Sequence, residues 1–288
     1  MSSRRHFLTN SALTLAGFSV APSCLLSRDK SIQFKISTCD WSIDKFSEIE
    51  AFGVAKEIGL DGLQVSLGSI DNNFWLRQKE VQANYINESK KTGVNISSLA
   101  IGELNSFPYK SDPRTEEWVW DSVDVAKNLD VSVILLAFFY AGDLRKDSIG
   151  KAEVVKRLKR VAPKAEKLGI TLGIESYMTA EEHLDIMQQV GSPAIKVYYD
   201  FRNAADAGND VFKELKLLGK DNICELHFKE NGFLLGQGSL DWKRIGNVLK
   251  EIGYEGDGWI QIEGAKPPEM DIVKACQYNL KYLHQIFG

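Results

Sequence analysis

Ile170-Thr171-Leu172-Gly173-Ile174-Glu175 is a short aliphatic and β-branched run that ends in a carboxylate and follows the pair Leu168-Gly169. Its length and residue types predict a buried strand, because β-branched side chains favour extended backbone. The amphipathic stretch before it, residues 150–168, predicts a helix. The same order of a short apolar run and a longer amphipathic stretch continues on both sides. This segment therefore predicts one unit of a repeating β-then-α chain.

Seven further apolar runs predict strands, and amphipathic stretches between them predict helices. The strands are expected at 34–38, 62–66, 95–99, 131–137, 195–200, 223–227 and 259–263, and the helices at 45–58, 74–92, 115–129, 150–168, 180–190, 210–219, 241–252 and 269–286. Eight such units favour a closed (β/α)8 TIM barrel of the α/β class, with residues 31–288 as a single domain. An open doubly wound sheet is the alternative, but it requires a glycine-rich loop where the chain has Cys39-Asp40-Trp41-Ser42.

The composition is that of a globular protein large enough for one barrel. The chain has 288 residues, of which 44% are hydrophobic and 26% are charged. Its net charge of −4 gives no general attraction for phosphate backbones, so nucleic acid is not an expected partner. No segment is long and apolar enough to predict a membrane span. The sequence leaves a homo-oligomer open.

The first 30 residues resemble a twin-arginine signal peptide followed by a short linker. Ser3-Arg4-Arg5-His6-Phe7-Leu8 precedes the uncharged run 12–21, which is too short to cross a bilayer. Export to the periplasm is therefore expected. Lipid attachment at Cys24 is disfavoured, because no bulky aliphatic residue lies three positions earlier. The other cysteines, Cys39, Cys224 and Cys276, form no Cys-x-x-Cys pair and are expected to be buried free thiols.

Four successive predicted strands end in a side chain that binds metals: Glu175, Asp200, His227 and Glu263. The carboxyl ends of barrel strands meet at the active face, so these four side chains should converge. Three carboxylates and one imidazole suit one divalent ion, Mn²⁺, Mg²⁺, Co²⁺ or Zn²⁺. Lys229 follows His227 on the same face of its strand and is expected to polarise a substrate oxygen.

The order Glu, Asp, His, Glu on strands five to eight resembles the xylose-isomerase-like barrels, which include ketose 3-epimerases. The resemblance covers the mature chain and is most specific at Gly173-Ile174-Glu175, Tyr199-Asp200-Phe201, His227-Phe228-Lys229-Glu230, 236–242 and Ile262-Glu263. It implies that Glu175, Asp200, His227 and Glu263 hold the metal and that the two glutamates form the acid/base pair. It also places Glu181 at a position that contacts substrate in those enzymes. An equal alternative is that Glu181 is a solvated residue in the first turn of a helix, where the helix dipole favours a carboxylate.

The chain departs from the ketohexose epimerases at two positions. Asn203 replaces a histidine that touches the sugar, and Phe233 replaces an arginine. A standard ketohexose substrate is therefore in doubt, with Asn203 expected at the substrate. Asn231-Gly232-Phe233-Leu234, soon after His227, contains no carboxylate for a second metal, and the four histidines of the chain are too few for a trinuclear nuclease.

Aromatic residues after the strands suggest a sugar-sized pocket. Trp41 is expected to bind substrate, and the other candidates are Trp75, Phe107, Tyr140 and Tyr177. His183 is expected to lie on the surface, and His284 is expected to belong to the last helix.

These observations predict an isomerase or epimerase that moves a proton between two glutamates through an enediolate of a sugar or keto-sugar. The alternatives are a metal-dependent lyase or dehydratase acting on a keto-sugar or glycoside, and a sugar-binding barrel without turnover.

Overall fold

Eight parallel strands close into a barrel in sequence order, with the last strand paired back to the first. The computed structural model describes residues 34–254 and 258–287, and the expected signal and Cys24 lie outside them. The strands are β1 (Lys35–Cys39), β2 (Gly62–Ser66), β3 (Asn95–Ile101), β4 (Val133–Phe138), β5 (Thr171–Ser176), β6 (Ile195–Asp200), β7 (Ile223–Lys229) and β8 (Trp259–Glu263). The predicted (β/α)8 TIM barrel is confirmed, and the pairing of β1 with β8 rules out the open sheet.

Helices connect the strands and cover the outside of the barrel. In the described part of the chain they are α1 (Ala51–Ile58), α2 (Lys79–Thr92), α3 (Arg114–Asn128), α4 (Ser148–Leu168), α5 (Ala180–Val190), α6 (Phe201–Asp206), α7 (Val211–Leu218), α8 (Trp242–Glu251) and α9 (Ile272–Phe287). Gly93 and Gly169 end α2 and α4 with φ of 79° and 70°, a left-handed conformation that glycine adopts without a Cβ clash. No helix within residues 34–254 and 258–287 is both long and apolar enough to cross a membrane.

Two predicted helices begin later than expected, and one helix was missed. The helix expected from residue 45 begins at Ala51, because Asp44 and Ser47 adopt left-handed φ values of 56° and 57° that interrupt helical hydrogen bonding. The helix expected from residue 74 begins at Lys79, after a left-handed Phe74 and a short 3-10 turn. The short helix α6 was not predicted; it starts directly after β6, where the side chain of Asp200 accepts from the backbone N–H of Asn203.

The strands separate an apolar outer layer from a largely polar inner layer. Outward residues such as Ile174 and Leu226 belong to the main hydrophobic cluster between strands and helices. Because side chains alternate along a strand, the neighbours Glu175, Glu225 and His227 face the inside. Charged side chains buried there need hydrogen-bond or ion-pair partners. Polar side chains inside the barrel therefore lie against one another.

His183 is buried, which corrects the prediction of a surface histidine. Its ring lies in the first turns of α5, behind a capping box formed by Thr179 and Glu182. Nδ1 is 2.9 Å from the carbonyl oxygen of Thr179, which only accepts, so Nδ1 carries the proton. Nε2 then accepts from the hydroxyl of Ser176 at 3.0 Å. Burial lowers the pKa of His183 from 6.5 to about 4.

We predict that His183 makes folding less stable in acid. Below pH 6.5 the unfolded chain binds a proton that folded His183 does not bind until pH falls to about 4. The free energy of unfolding should therefore fall with pH in this window, by up to about 1.4 kcal/mol per pH unit from this group. Urea unfolding of His183→Gln at several pH values should show a slope smaller by that amount. His284→Gln, at an exposed histidine, is the matched control. An unchanged slope in His183→Gln would contradict the prediction.

Candidate metal centre

Four side chains from consecutive strands converge at the carboxyl end of the barrel. Each of Glu175, Asp200, His227 and Glu263 offers one ligand atom, and these atoms all lie within 4.8 Å of one another. The four predicted metal ligands are thus brought together. The strand register pairs Asp200 of β6 with His227 of β7, and Lys229 of β7 with Glu263 of β8. This register places the side chains at the same end of the barrel.

The imidazole of His227 faces all three carboxylates through the same nitrogen. Its Nδ1 lies 2.9 Å from Glu175 Oε1, 3.4 Å from Glu263 Oε2 and 3.9 Å from Asp200 Oδ2. The ring is fully buried, so water cannot solvate this cluster freely.

The donor set fits a divalent cation. Within the described residues Asp200 Oδ2 is buried and has no hydrogen-bond partner, which is costly for a carboxylate oxygen unless a cation approaches it. Metal bonds of about 2.0–2.2 Å place ligand atoms up to about 4.4 Å apart, close to the spacing of this cluster. Three hard oxygens and one imidazole suit Mn²⁺, Mg²⁺, Co²⁺ or Zn²⁺.

Burial and neighbouring charges shift the site's pKa values in different directions. Burial raises the pKa of Asp200, and Glu263 and Glu175 add to this by repulsion while Lys229 opposes it. Burial would also raise the pKa of Glu263, but the charges of Lys229 and His227 outweigh it and lower that pKa. Burial acts to lower the pKa of His227, yet nearby Glu175 and other anionic groups raise it. Glu263 is therefore held as a carboxylate.

Two predicted substrate residues fix the carboxylate of Glu263. The indole Nε1 of Trp41 donates to its Oε1 at 3.0 Å, and Lys229 Nζ donates to its Oε2 at 3.0 Å. Lys229 Nζ also lies 3.7 Å from Asp200 Oδ2. Lys229 thus contacts the cluster and faces the same cavity.

A cavity of about 350 Å³ lies over the cluster. The residues that line it include the predicted site residues Trp41, Glu175, Asn203, Lys229 and Glu263, the predicted aromatic residues Tyr140 and Tyr177, and Phe46, Glu103, Asn105 and Phe139. Asn203 is buried, and its backbone N–H donates to Asp200 Oδ1 at 2.8 Å. The cavity has a charged floor and aromatic walls, an arrangement suited to a small polyhydroxylated ligand.

Several candidates lie elsewhere among the described residues. Glu181 does not line the cavity; it is exposed at the start of α5, with its carboxylate 3.7 Å from Lys213 Nζ. Phe107 packs edge-on against Trp118, and Phe233 is exposed.

Other buried polar residues beside the site were not recognised from sequence. Gln64, in the middle of β2, has its Oε1 3.3 Å from His227 Nε2, and Glu225 lies two residues before His227 on β7. A polar residue inside an otherwise apolar strand was the available signal, and the two-residue alternation would have placed Glu225 on the face of His227.

Comparison with known proteins identifies the family. A protein-family model described as "Xylose isomerase-like TIM barrel" matches residues 52–282 of the sequence. The chain therefore belongs to the xylose isomerase-like TIM barrel family. SgbU of Escherichia coli (strain K12), provisionally named an L-ribulose-5-phosphate 3-epimerase, is 25% identical over 257 residues, which cover 80% of this chain and 89% of SgbU.

Two solved structures share the fold. The D-psicose 3-epimerase of Clostridium cellulolyticum H10 has a TM-score of 0.75 at 19% identity and covers 88% of this chain and 99% of its own. YcjR of E. coli, a 3-keto-D-glucoside 4-epimerase, has a TM-score of 0.71 at 16% identity and covers 88% and 100%.

We predict that Asp200→Asn removes metal binding without destabilising the metal-free protein. Asparagine keeps the oxygen that caps α6 but loses the buried charge whose burial raises the pKa of Asp200. Mn²⁺ at about 100 times its Kd should stabilise the wild type by about 2.7 kcal/mol. In Asp200→Asn the Kd should rise at least about 100-fold, so the same Mn²⁺ concentration should stabilise the variant by about 0.4 kcal/mol or less.

Glu181→Gln is the matched control, because it removes a carboxylate that lies outside the cavity. Its Mn²⁺ affinity should equal that of the wild type. Wild-type affinity in Asp200→Asn would remove Asp200 from the ligand set.

Proposed function

We propose that this protein is a divalent-metal-dependent sugar isomerase or epimerase that moves a proton beside a substrate carbonyl. The observation that carries the proposal is the Glu175, Asp200, His227 and Glu263 cluster at the floor of a cavity of about 350 Å³. The family and the sugar epimerase names of its relatives support it.

The two glutamates are proposed to act as the acid/base pair. A bound divalent ion supplies Lewis acidity that makes a C–H beside the substrate carbonyl more acidic. Glu263, kept ionised by Lys229 and hydrogen-bonded to Trp41, is the carboxylate proposed to accept that proton. Glu175 reaches the cavity from β5, with two strands between it and Glu263, so it can deliver a proton from another direction. Transfer through an enediolate then inverts a carbon or moves the carbonyl.

Lyase chemistry on a glycoside is the second candidate. Tyr140 is 80% exposed and Phe46 is 42% exposed, and both line the cavity, where they could stack on a leaving group larger than water. YcjR is named for a 3-keto-D-glucoside. Lys229 would then assist the departing oxygen. A sugar-binding barrel without turnover is less well supported, because binding alone does not require two carboxylates in this arrangement.

An unphosphorylated substrate is proposed. The cavity lining contains the carboxylates of Glu103, Glu175 and Glu263, whereas Lys229 is the one cationic side chain among its described residues. Lys229 is already paired with Glu263. Apart from the proposed metal ion, a phosphate group would therefore meet more carboxylates than cationic side chains in this cavity.

Export through the twin-arginine route is proposed from the Arg4-Arg5 pair and the apolar run that follows. A periplasmic enzyme would meet free sugars and glycosides, which agrees with an unphosphorylated substrate.

We predict that the metal-loaded protein incorporates deuterium from D₂O at the carbon beside the carbonyl of an unphosphorylated ketose or keto-glycoside. At saturating metal, Glu175→Gln and Glu263→Gln should each slow the exchange by about 10²–10⁴-fold, because an amide cannot take up the proton. Exchange is measured by mass spectrometry and NMR of the recovered sugar.

Glu166→Gln, at an exposed carboxylate on α4, should exchange at the wild-type rate. A ketose 5-phosphate should exchange more slowly than the free ketose. Metal-loaded protein that exchanges no sugar would exclude enolisation, and release of a leaving group without exchange would favour the lyase.

We predict that Arg4→Lys combined with Arg5→Lys blocks export of the full chain. The protein should then accumulate in the cytoplasm, as measured by cell fractionation and immunoblotting. Arg28→Lys makes the same change outside the pair and should leave export unchanged. Periplasmic accumulation of the double variant at the wild-type level would refute the twin-arginine assignment.

A further inference from the structure

A group of buried polar side chains lies inside the barrel beneath the metal centre. It consists of Gln64, Ser98, Tyr198, Glu225 and Gln261, here called the inner network, and each member is at most 1% exposed. The proposed proton transfer uses none of them. The same inner layer also contains Val133 and Leu135, so the fold accepts apolar residues there and does not itself require a polar network.

Glu225 fixes which groups of the network donate and which accept hydrogen bonds. Glu225 Oε2 accepts from the hydroxyl of Tyr198 at 2.7 Å and from Nε2 of Gln261 at 3.1 Å. A tyrosine hydroxyl has a single proton, and this one is given to Glu225. Toward any other neighbour Tyr198 can therefore act only as an acceptor.

This direction fixes the amide of Gln64. Its Nε2 donates to the Tyr198 hydroxyl at 2.9 Å and to Ser98 Oγ at 3.0 Å. The reversed amide would place its oxygen against Tyr198, whose proton is already committed to Glu225. Gln64 Oε1 consequently faces His227, with His227 Nε2 at 3.3 Å, and also accepts from the thiol of Cys39 at 3.1 Å.

We propose that Gln64 is a positioning residue for the metal centre, which holds a proton of His227 on Nε2, so that Nδ1, the nitrogen facing the three carboxylates, is the one available to a bound metal. The inference rests on the metal centre proposed above. A carbonyl oxygen only accepts, so it pairs with the imidazole only when Nε2 carries a proton. Nδ1 is the nitrogen that lies 2.9 Å from Glu175. Glu225 and Tyr198 orient the amide of Gln64, and Gln64 in turn favours the His227 tautomer with its proton on Nε2.

The first test measures Mn²⁺ affinity by competition with a chelator. Gln64→Met keeps the approximate length of the side chain but removes the acceptor, and should weaken binding by about 10–100-fold. Gln82→Met is the matched control, because Gln82 is also buried and hydrogen-bonded but belongs to α2, outside the barrel. It should lower stability and leave the Kd for Mn²⁺ unchanged.

Tyr198→Phe provides a second variant that retains Gln64 and the aromatic ring. Without the hydroxyl the amide of Gln64 is no longer held in one orientation, so the Kd for Mn²⁺ should rise by a smaller factor, about threefold to tenfold. Wild-type affinity in both Gln64→Met and Tyr198→Phe would overturn the inference.

The second test reads the tautomer directly. In protein labelled with ¹⁵N-histidine and loaded with diamagnetic Zn²⁺, the Nε2 of His227 should show a one-bond coupling to a slowly exchanging proton. In Gln64→Met that proton should exchange faster with solvent, whereas Gln82→Met should match the wild type. A proton on Nδ1 in the loaded wild type would overturn the inference.

The two levels of the proposal fail in different ways. If the wild type binds none of Mn²⁺, Mg²⁺, Co²⁺ or Zn²⁺, the metal centre itself is refuted. If the wild type binds metal and Gln64→Met binds it equally well, only the role of Gln64 is refuted.

Discussion

Burial of like charges is the constraint on which this site depends. Three carboxylates from β5, β6 and β8 have ligand atoms within 4.8 Å of one another and of the His227 ring, and Asp200, Glu175 and His227 are buried. Each unbalanced charge in such a place is costly. The main hydrophobic core, where outward apolar residues of the strands pack on helices, does not include these four residues.

The protein itself partly balances this charge. Lys229 lies within 3.7 Å of both Asp200 and Glu263, and Trp41 donates to Glu263. Asp200 Oδ2 nevertheless has no hydrogen-bond partner among the described residues. Asp200 Oδ2 is therefore the oxygen of the site at which a further positive charge would be stabilising. This free oxygen distinguishes a cluster that could hold a cation from a set of salt bridges that are complete by themselves.

The sequence predicted the barrel and the four strand-end residues because both are local patterns. A short apolar run ending at Glu175 or Glu263 is visible without knowing what lies beside it. Contacts between distant segments were not visible. The burial of His183 depends on Ser176 and the turn between them, and the role of Gln64 depends on Tyr198, which is 134 residues away. The start of α1 was misplaced because left-handed residues leave no clear trace in hydrophobic periodicity.

Asp200 has two separate tasks, one for each carboxylate oxygen. Oδ1 accepts from the backbone N–H of Asn203 at the start of α6, and Oδ2 faces the cluster. Because the ligand is held by the backbone of residue 203, the side chain at this position takes no part in holding it. Different side chains at residue 203 can therefore change the lining of the cavity while the backbone keeps its hydrogen bond to Asp200. Recognition by the cavity is thus separable from the orientation of Asp200.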